Sequence, residues 1–168
     1  MRDIHFEIER KYLIRMPSEA ELKAAGAEAT EITQTYLLAS PGTTERVRRR
    51  GRDGVYTCTH TTKTKLSDLR RIEDEEELSE EEYAALLKRA DPARNTIRKL
   101  RWCFSYEGQE FELDIFPFWS DRAYLELEIA DEGQEIRLPP WIRLIREVTA
   151  DARYTNASLS LEIPYDEI

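Results

Sequence analysis

The chain has 168 residues, of which 35% are charged and 40% hydrophobic, and its net charge is −9. That length fits one domain, residues 1–168, with a real core, and the composition suits a soluble globular protein rather than a disordered one. The negative field argues against general binding to nucleic acid or an anionic membrane, although 25 Lys and Arg leave room for local basic patches.

No apolar signal core opens the chain, and no apolar run reaches membrane length, so a cytoplasmic protein is expected. Cys58 and Cys103 stand alone, without metal-ligand spacing, and are expected as reduced thiols. The first element, IHFEIERKYLI over residues 4–14, alternates strictly: Ile4, Phe6 and Ile8 oppose His5, Glu7, Glu9 and Lys11. Ser18 and Glu21 then form a capping-box pattern after Pro17, predicting a short helix through about Ala25.

Strands follow in EITQTYLLAS and in TERVRRRGRDGVYTCTHTTKTK, the latter folded at Asp53-Gly54 as a tight hairpin. RRIEDEEELS is another strand. Ser79 with Glu82 repeats the capping box and opens a helix with Tyr83, Leu86, Leu87 and Ala90 on one face. TIRKLRWCFSYEGQEFELDIFPF holds two strands turning at Glu107-Gly108, and RAYLELEIA holds one more. A third short helix is predicted from Pro140, burying Trp141, Ile142 and Ile145. Roughly eight strands with tight hairpins imply a mainly antiparallel sheet, enough to close a barrel around one small ligand.

The opening pattern recurs along the chain. One face carries Arg46, Arg48 and Arg50; others carry Arg71, Glu73 and Glu75, then Lys99 and Arg101, then Glu110, Glu112 and Asp114, then Glu126 and Glu128. Alternation alone leaves two architectures open: a sandwich with charged outer surfaces, or a barrel with a charged lumen. Same-sign charges repeated along one strand are costly on a plain surface, which weighs toward the lumen. Arginine suits phosphate oxygens, and clustered carboxylates suit Mg²⁺ or Mn²⁺. One cavity with both sets is what a metal-bound polyphosphate needs.

EIERK resembles the Glu-x-Glu-x-Lys signature of the CYTH domain, the triphosphate tunnel metalloenzymes. ERVRRR, RIEDEEEL, IRKLR, FELDIF and LELEI are similar to that family's later charged strands, in the family's order, and EVTADARYTNASL resembles its C-terminal segment. The resemblance implies an eight-stranded antiparallel barrel open as a tunnel, mainly β, with a few helices packed outside. Ile4, Phe6 and Ile8 should then lie beneath outer helices, while Glu7, Glu9 and Lys11 face the tunnel.

The roles implied by the resemblance fall residue by residue. Arg46, Arg48, Lys63, Lys99 and Arg101 should hold phosphate oxygens, helped by Lys11 and Arg71. Glu7, Glu9 and Glu128 should coordinate a catalytic Mg²⁺ or Mn²⁺, with Glu126 and Asp114 in or beside its coordination sphere. Glu73, Glu75 and Glu112 should orient the basic groups or hold a second metal. Lys63, Lys99, Glu7 and Glu9 are the residues expected to carry catalysis. The family's usual single lysine ending the fourth strand is here either Lys63 or Lys65, with Lys63 preferred.

The implied activity is metal-dependent hydrolysis of a triphosphate, inorganic tripolyphosphate foremost, nucleoside or thiamine triphosphate next. A class IV adenylate cyclase and a non-catalytic polyphosphate- or nucleotide-binding module remain the alternatives. A small-molecule triphosphate is the expected partner, with neither nucleic acid nor membrane, and the pattern specifies no oligomeric state. Among other conspicuous residues, His60 is expected outside the tunnel, Glu80 to Glu82 at a helix start, and the aromatic cluster Phe116, Phe118 and Trp119 in packing.

Overall fold

The computed structural model describes residues 2–168. Its elements are β1 (Arg2–Arg15), α1 (Glu19–Ala24), β2 (Glu28–Tyr36), β3 (Thr43–Arg52), β4 (Val55–Lys65), β5 (Arg70–Leu78) and α2 (Glu80–Leu87), followed by β6 (Ile97–Tyr106), β7 (Gln109–Ile115), β8 (Arg122–Glu128), β9 (Leu144–Glu147) and α3 (Asn156–Leu159). Strand order is β5-β4-β3-β2-β6-β7-β8-β1, and β1 returns to β5, closing an antiparallel barrel of eight strands.

β1 makes that closure by changing partners midway. Arg2–Ile8 pair with β5, with Glu7 opposite Arg71, whereas Glu9–Arg15 pair with β8, with Lys11 opposite Glu126. Where β5 leaves the far half of β1, β9 takes the vacated edge at Tyr12–Ile14, a ninth strand beyond those expected. Local chemistry fixes the joints. Asp53 and Gly54 both take positive φ (53° and 80°), as do Glu107 and Gly108 (47° and 75°), which is the twist a two-residue hairpin needs. Both capping boxes form, Ser18 with Glu21 and Ser79 with Glu82.

Three apolar clusters hold the barrel. The largest lies outside β1, β6, β7 and β8, where Tyr12, Phe104, Phe111, Leu113 and Leu125 meet Leu22 of α1. Under α2, Tyr83, Leu86 and Leu87 cover Val47, Cys58 and Leu78. The third fills one end of the barrel from within: Leu13, Tyr36, Ile97, Phe116 and Tyr124 pack against Tyr154 and Leu159 of the C-terminal segment. Phe116, Phe118 and Trp119 are packing groups there: Phe116 and Trp119 meet Tyr124 edge-on, and Phe118 packs on both.

Two expectations are corrected. Ile4 and Phe6 are 61% and 71% exposed, and only Ile8 reaches an apolar cluster. They sit on the part of β1 paired with β5, which neither α1 nor α2 overlies. The helix from Pro140 does not form: Ile142 N–H donates to Pro139 O in a single turn, and the chain then extends into β9. The free edge of β1 offers Leu144–Glu147 a strand partner instead. Trp141, Ile142 and Ile145 are nevertheless partly buried, against the outer and end clusters. Among the described residues, no helix is long and apolar enough to cross a membrane.

Candidate functional site: a tunnel between opposed charges

The inward faces of the strands enclose a cavity of about 510 Å³. It is lined by His5, Glu7, Glu9 and Lys11 of β1, Arg46, Arg48 and Arg50 of β3, Lys63 of β4, and Arg71, Glu73 and Glu75 of β5. Lys99 and Arg101 of β6, Glu112 of β7, and Glu126 and Glu128 of β8 complete the wall. The period-2 alternation of each strand puts these groups on one side of the sheet, and closure turns that side inward. Asp114 does not line the cavity; it is fully buried behind Lys99 and Arg101.

The basic groups divide by partner. Lys99 Nζ lies 2.8 Å from Asp114 Oδ2 in an ion pair, and Asp114 takes Arg101 bidentately, Nε to Oδ1 at 2.8 Å and Nη2 to Oδ2 at 2.9 Å. Burial lowers the Lys99 ammonium to about 8, even though Asp114 favours its charged form. Burial also opposes ionisation of Asp114, but Arg101 and Lys99 hold it well below the usual carboxylate range. Lys63 Nζ lies 3.3 Å from Glu73 and 3.6 Å from Glu7, and Lys11 Nζ lies 3.3 Å from Glu126.

Arg46, Arg48 and Arg71 differ. No carboxylate among the described residues comes within 4 Å of their guanidinium groups, and the buried Nε of each has no hydrogen-bond partner. Burial, with Arg46 and Arg101 nearby, pulls Arg48 down to about 9. Three cations therefore line the cavity without a direct ion pair among the described residues, although Tyr36 and Glu73 favour the charged form of Arg46.

Opposite them, carboxyls crowd together. Glu7 is 4% exposed and is pushed up to about 10, by burial and by contact with the carboxyls of Glu73 and Glu9. Burial opposes ionisation of Glu9 as well, but its contact with Glu7 and the charges of Lys63, Lys11 and Arg71 outweigh it and hold Glu9 at about 2. Glu126 and Glu128 are both raised, by burial and by the charge on Glu9. Oxygen donors massed this way suit a hard divalent cation, which would replace the shared proton as their counter-charge.

Lys63 and Lys65 are now distinguished. Lys63 sits inside with Glu7 and Glu73; Lys65 is an exposed rim residue 3.1 Å from Asp68. His60 lies outside, between Glu45 and Glu76. Some lining groups escaped the sequence reading. Asn156 Oδ1 accepts from Lys99 Nζ at 3.1 Å, and Tyr154 O accepts from Lys11 Nζ at 3.2 Å. They belong to the C-terminal segment, which has no strand period to place them. His5 shares the inward phase of Glu7, and its ring, Glu7 and Glu128 bring ligand atoms within 4.8 Å of one another.

A closed antiparallel barrel with facing walls of cations and carboxylates defines a tunnel protein for a metal-associated anion. The profile of the CYTH domain matches residues 5–159, and the chain belongs to that family. It is 30% identical over 160 residues to an inorganic triphosphatase of Acetivibrio thermocellus, covering 95% of each. With an inorganic triphosphatase of Nitrosomonas europaea it shares 32% over 163 residues, 94% of this chain and 99% of the relative. Among solved structures, the inorganic triphosphatase NE1496 superposes with a TM-score of 0.61 at 29% identity, covering 94% of this chain and 96% of that one.

Proposed function

We propose that this chain is a divalent-metal-dependent triphosphatase acting on inorganic tripolyphosphate within the barrel. The observation that carries the reading is Arg46, Arg48 and Arg71, without ion-pair partners among the described residues, sharing one cavity with the crowded carboxyls of Glu7, Glu9 and Glu73. Buried charges without partners are costly, and a polyanion with its cation satisfies both walls at once. The relatives named inorganic triphosphatase, similar over nearly their whole length, support the same substrate.

In this reading Arg46, Arg48 and Arg71 grip phosphate oxygens, joined by Lys63, Lys11, Lys99 and Arg101. Asp114 positions the last two through the contacts described above, Glu73 positions Lys63, Glu112 steadies Arg101, and Glu75 accepts from Thr61 Oγ1 at 2.9 Å. Glu7, Glu9 and Glu128 would hold the divalent ion, Mg²⁺ or Mn²⁺, with Glu126 beside them. The ion supplies charge neutralisation and orientation for attack of water on a terminal phosphorus. The residues of the walls align the chain of phosphates and meet the charge that develops on its oxygens, with no covalent intermediate on the protein. A single domain over residues 1–168 is part of the reading, and the free thiols of Cys58 and Cys103 support a cytoplasmic setting.

The test is incubation with tripolyphosphate or ATP plus Mg²⁺ or Mn²⁺, with assays for phosphate, pyrophosphate and cyclic AMP. Tripolyphosphate should yield phosphate and pyrophosphate only with metal present, and Glu7→Gln with Glu9→Gln should abolish it. Metal-independent release would overturn the reading. Tight binding without products would make this a binding module, and cyclic AMP from ATP would make it a cyclase.

A further inference from the structure

We propose that His5 is a metal ligand of this chain, completing with Glu7 and Glu128 a mixed imidazole–carboxylate site that prefers Mn²⁺ to Mg²⁺. The inference rests on the metal-dependent reading above and narrows it to the class of ion.

Geometry comes first. His5 stands two residues before Glu7 on β1 and shares its inward phase, while Glu128 on β8 lies opposite Glu9, the next inward residue of β1. Ligand atoms of the three lie within 4.8 Å of one another. Donors to one six-coordinate ion at Mg²⁺-like bond lengths sit about 3 Å apart when adjacent and about 4 Å apart when opposite. A side-chain adjustment of under about 1 Å therefore brings the set to bonding distance.

Two further observations point to a cation here. Glu7 is 4% exposed, yet among the described residues no N–H or O–H group of a neutral or cationic side chain donates to it; Lys63 Nζ stands off at 3.6 Å, and its closer polar neighbours are other carboxyls. A carboxylate also stands beside the His5 ring: its Nδ1 lies 3.0 Å from Asp3 Oδ2, without an aligned hydrogen bond, so that Nε2 would be the metal nitrogen and Nδ1 the one supported. A carboxylate behind the non-ligating nitrogen is the usual support of a metal-bound histidine, because it fixes ring orientation and raises ligand basicity. Imidazole favours borderline transition ions, whereas Mg²⁺ takes oxygen donors and parts reluctantly with its waters.

The experiment measures metal binding without substrate, so its outcome is separate from triphosphatase activity. Mn²⁺ and Mg²⁺ are titrated calorimetrically into the full chain, His5→Gln and His5→Asp, and the Mn²⁺ complexes are examined by pulsed electron paramagnetic resonance for coupling to imidazole nitrogen. Wild type should show that coupling. His5→Gln should lose it together with about tenfold or more in Mn²⁺ affinity, the low end of what even an outer partner of a metal ligand is worth, with Mg²⁺ affinity nearly unchanged. His5→Asp, which returns an oxygen donor, should recover binding, lack the nitrogen coupling and shift preference toward Mg²⁺. Wild-type Mn²⁺ bound without nitrogen coupling, or with an affinity that ignores both substitutions, overturns the role of His5 and leaves the triphosphatase reading standing. Absence of metal binding that also accompanies lost hydrolysis overturns both.

Discussion

Two strands of the barrel present the same kind of charge to the lumen and treat it in opposite ways. On β6, Lys99 and Arg101 are tied to Asp114 by contacts of 2.8–2.9 Å, and Arg101 also reaches Glu112. On β3, Arg46 and Arg48 are half-buried with orphaned Nε atoms, and burial, with Arg46 and Arg101 nearby, lowers the basicity of Arg48. The β6 pair is folded into the protein's own electrostatics; the β3 pair is left for something else. Paired buried ions fail when one partner is removed, whereas unpaired ones relax. The β6 pair thus carries structural ion pairs as well as a place on the cavity wall, whereas the β3 pair has only the cavity.

Substitutions at the two strands should separate those quantities. Asp114→Ala should have the largest effect, costing about 3–5 kcal/mol of stability by stranding Lys99 and Arg101. Chemical denaturation measures it, and a loss under 1 kcal/mol would erase the contrast between the strands. Arg48→Ala should lower kcat/KM for tripolyphosphate by about 10²–10³ while leaving Tm unchanged or higher. If it melted like Asp114→Ala, the β3 arginines would be structural after all. Lys63→Ala should reduce activity by at least about tenfold, and Lys65→Ala by less than about threefold, since only Lys63 stands within the paired carboxyls; equal losses would remove that distinction.

The smallest effect lies away from the lumen, at Asp151. Its contacts with Arg153 and Arg146 hold it at about 2 against an unfolded value near 3.8. A depressed carboxylate stabilises above its unfolded value and loses that contribution as pH falls through the folded one. The Tm gap between wild type and Asp151→Asn should thus be constant above about pH 5 and shrink toward pH 2. A gap that did not change with pH would deny the ion pairs a role in holding the C-terminal segment.

Much of this was legible because a strand has only two sides. Once Glu7, Arg48 and Arg101 share a side with their neighbours at i±2, one decision about inside and outside settles dozens of positions. Asp53-Gly54 and the Ser79–Glu82 cap were legible for a different reason: their chemistry is local. What eluded the sequence depends on partners distant in the chain. Whether a helix covers Ile4 and Phe6 is decided by where α1 and α2 land, not by the alternation of β1. Leu144–Glu147 becomes a strand because β5 abandons the far half of β1. Asn156 and the Tyr154 carbonyl enter the lumen from a segment without any period. For Asp114, alternation gives its face but not its depth behind Lys99 and Arg101.

The divided loyalty of β1 has a consequence for how the protein is made. Its first half must find residues some 70 positions away and its second half residues more than 100 away, so the stave that closes the barrel is joined by contacts of high sequence separation. Such contacts carry a high loop-closure cost and place the fold among slow, high-contact-order topologies. Glu7, Glu9 and Lys11 ride on that stave. A chain that has formed every hairpin but not yet docked β1 has an open sheet whose lumenal face lacks Glu7, Glu9 and Lys11. Assembly of the site and completion of folding are one event.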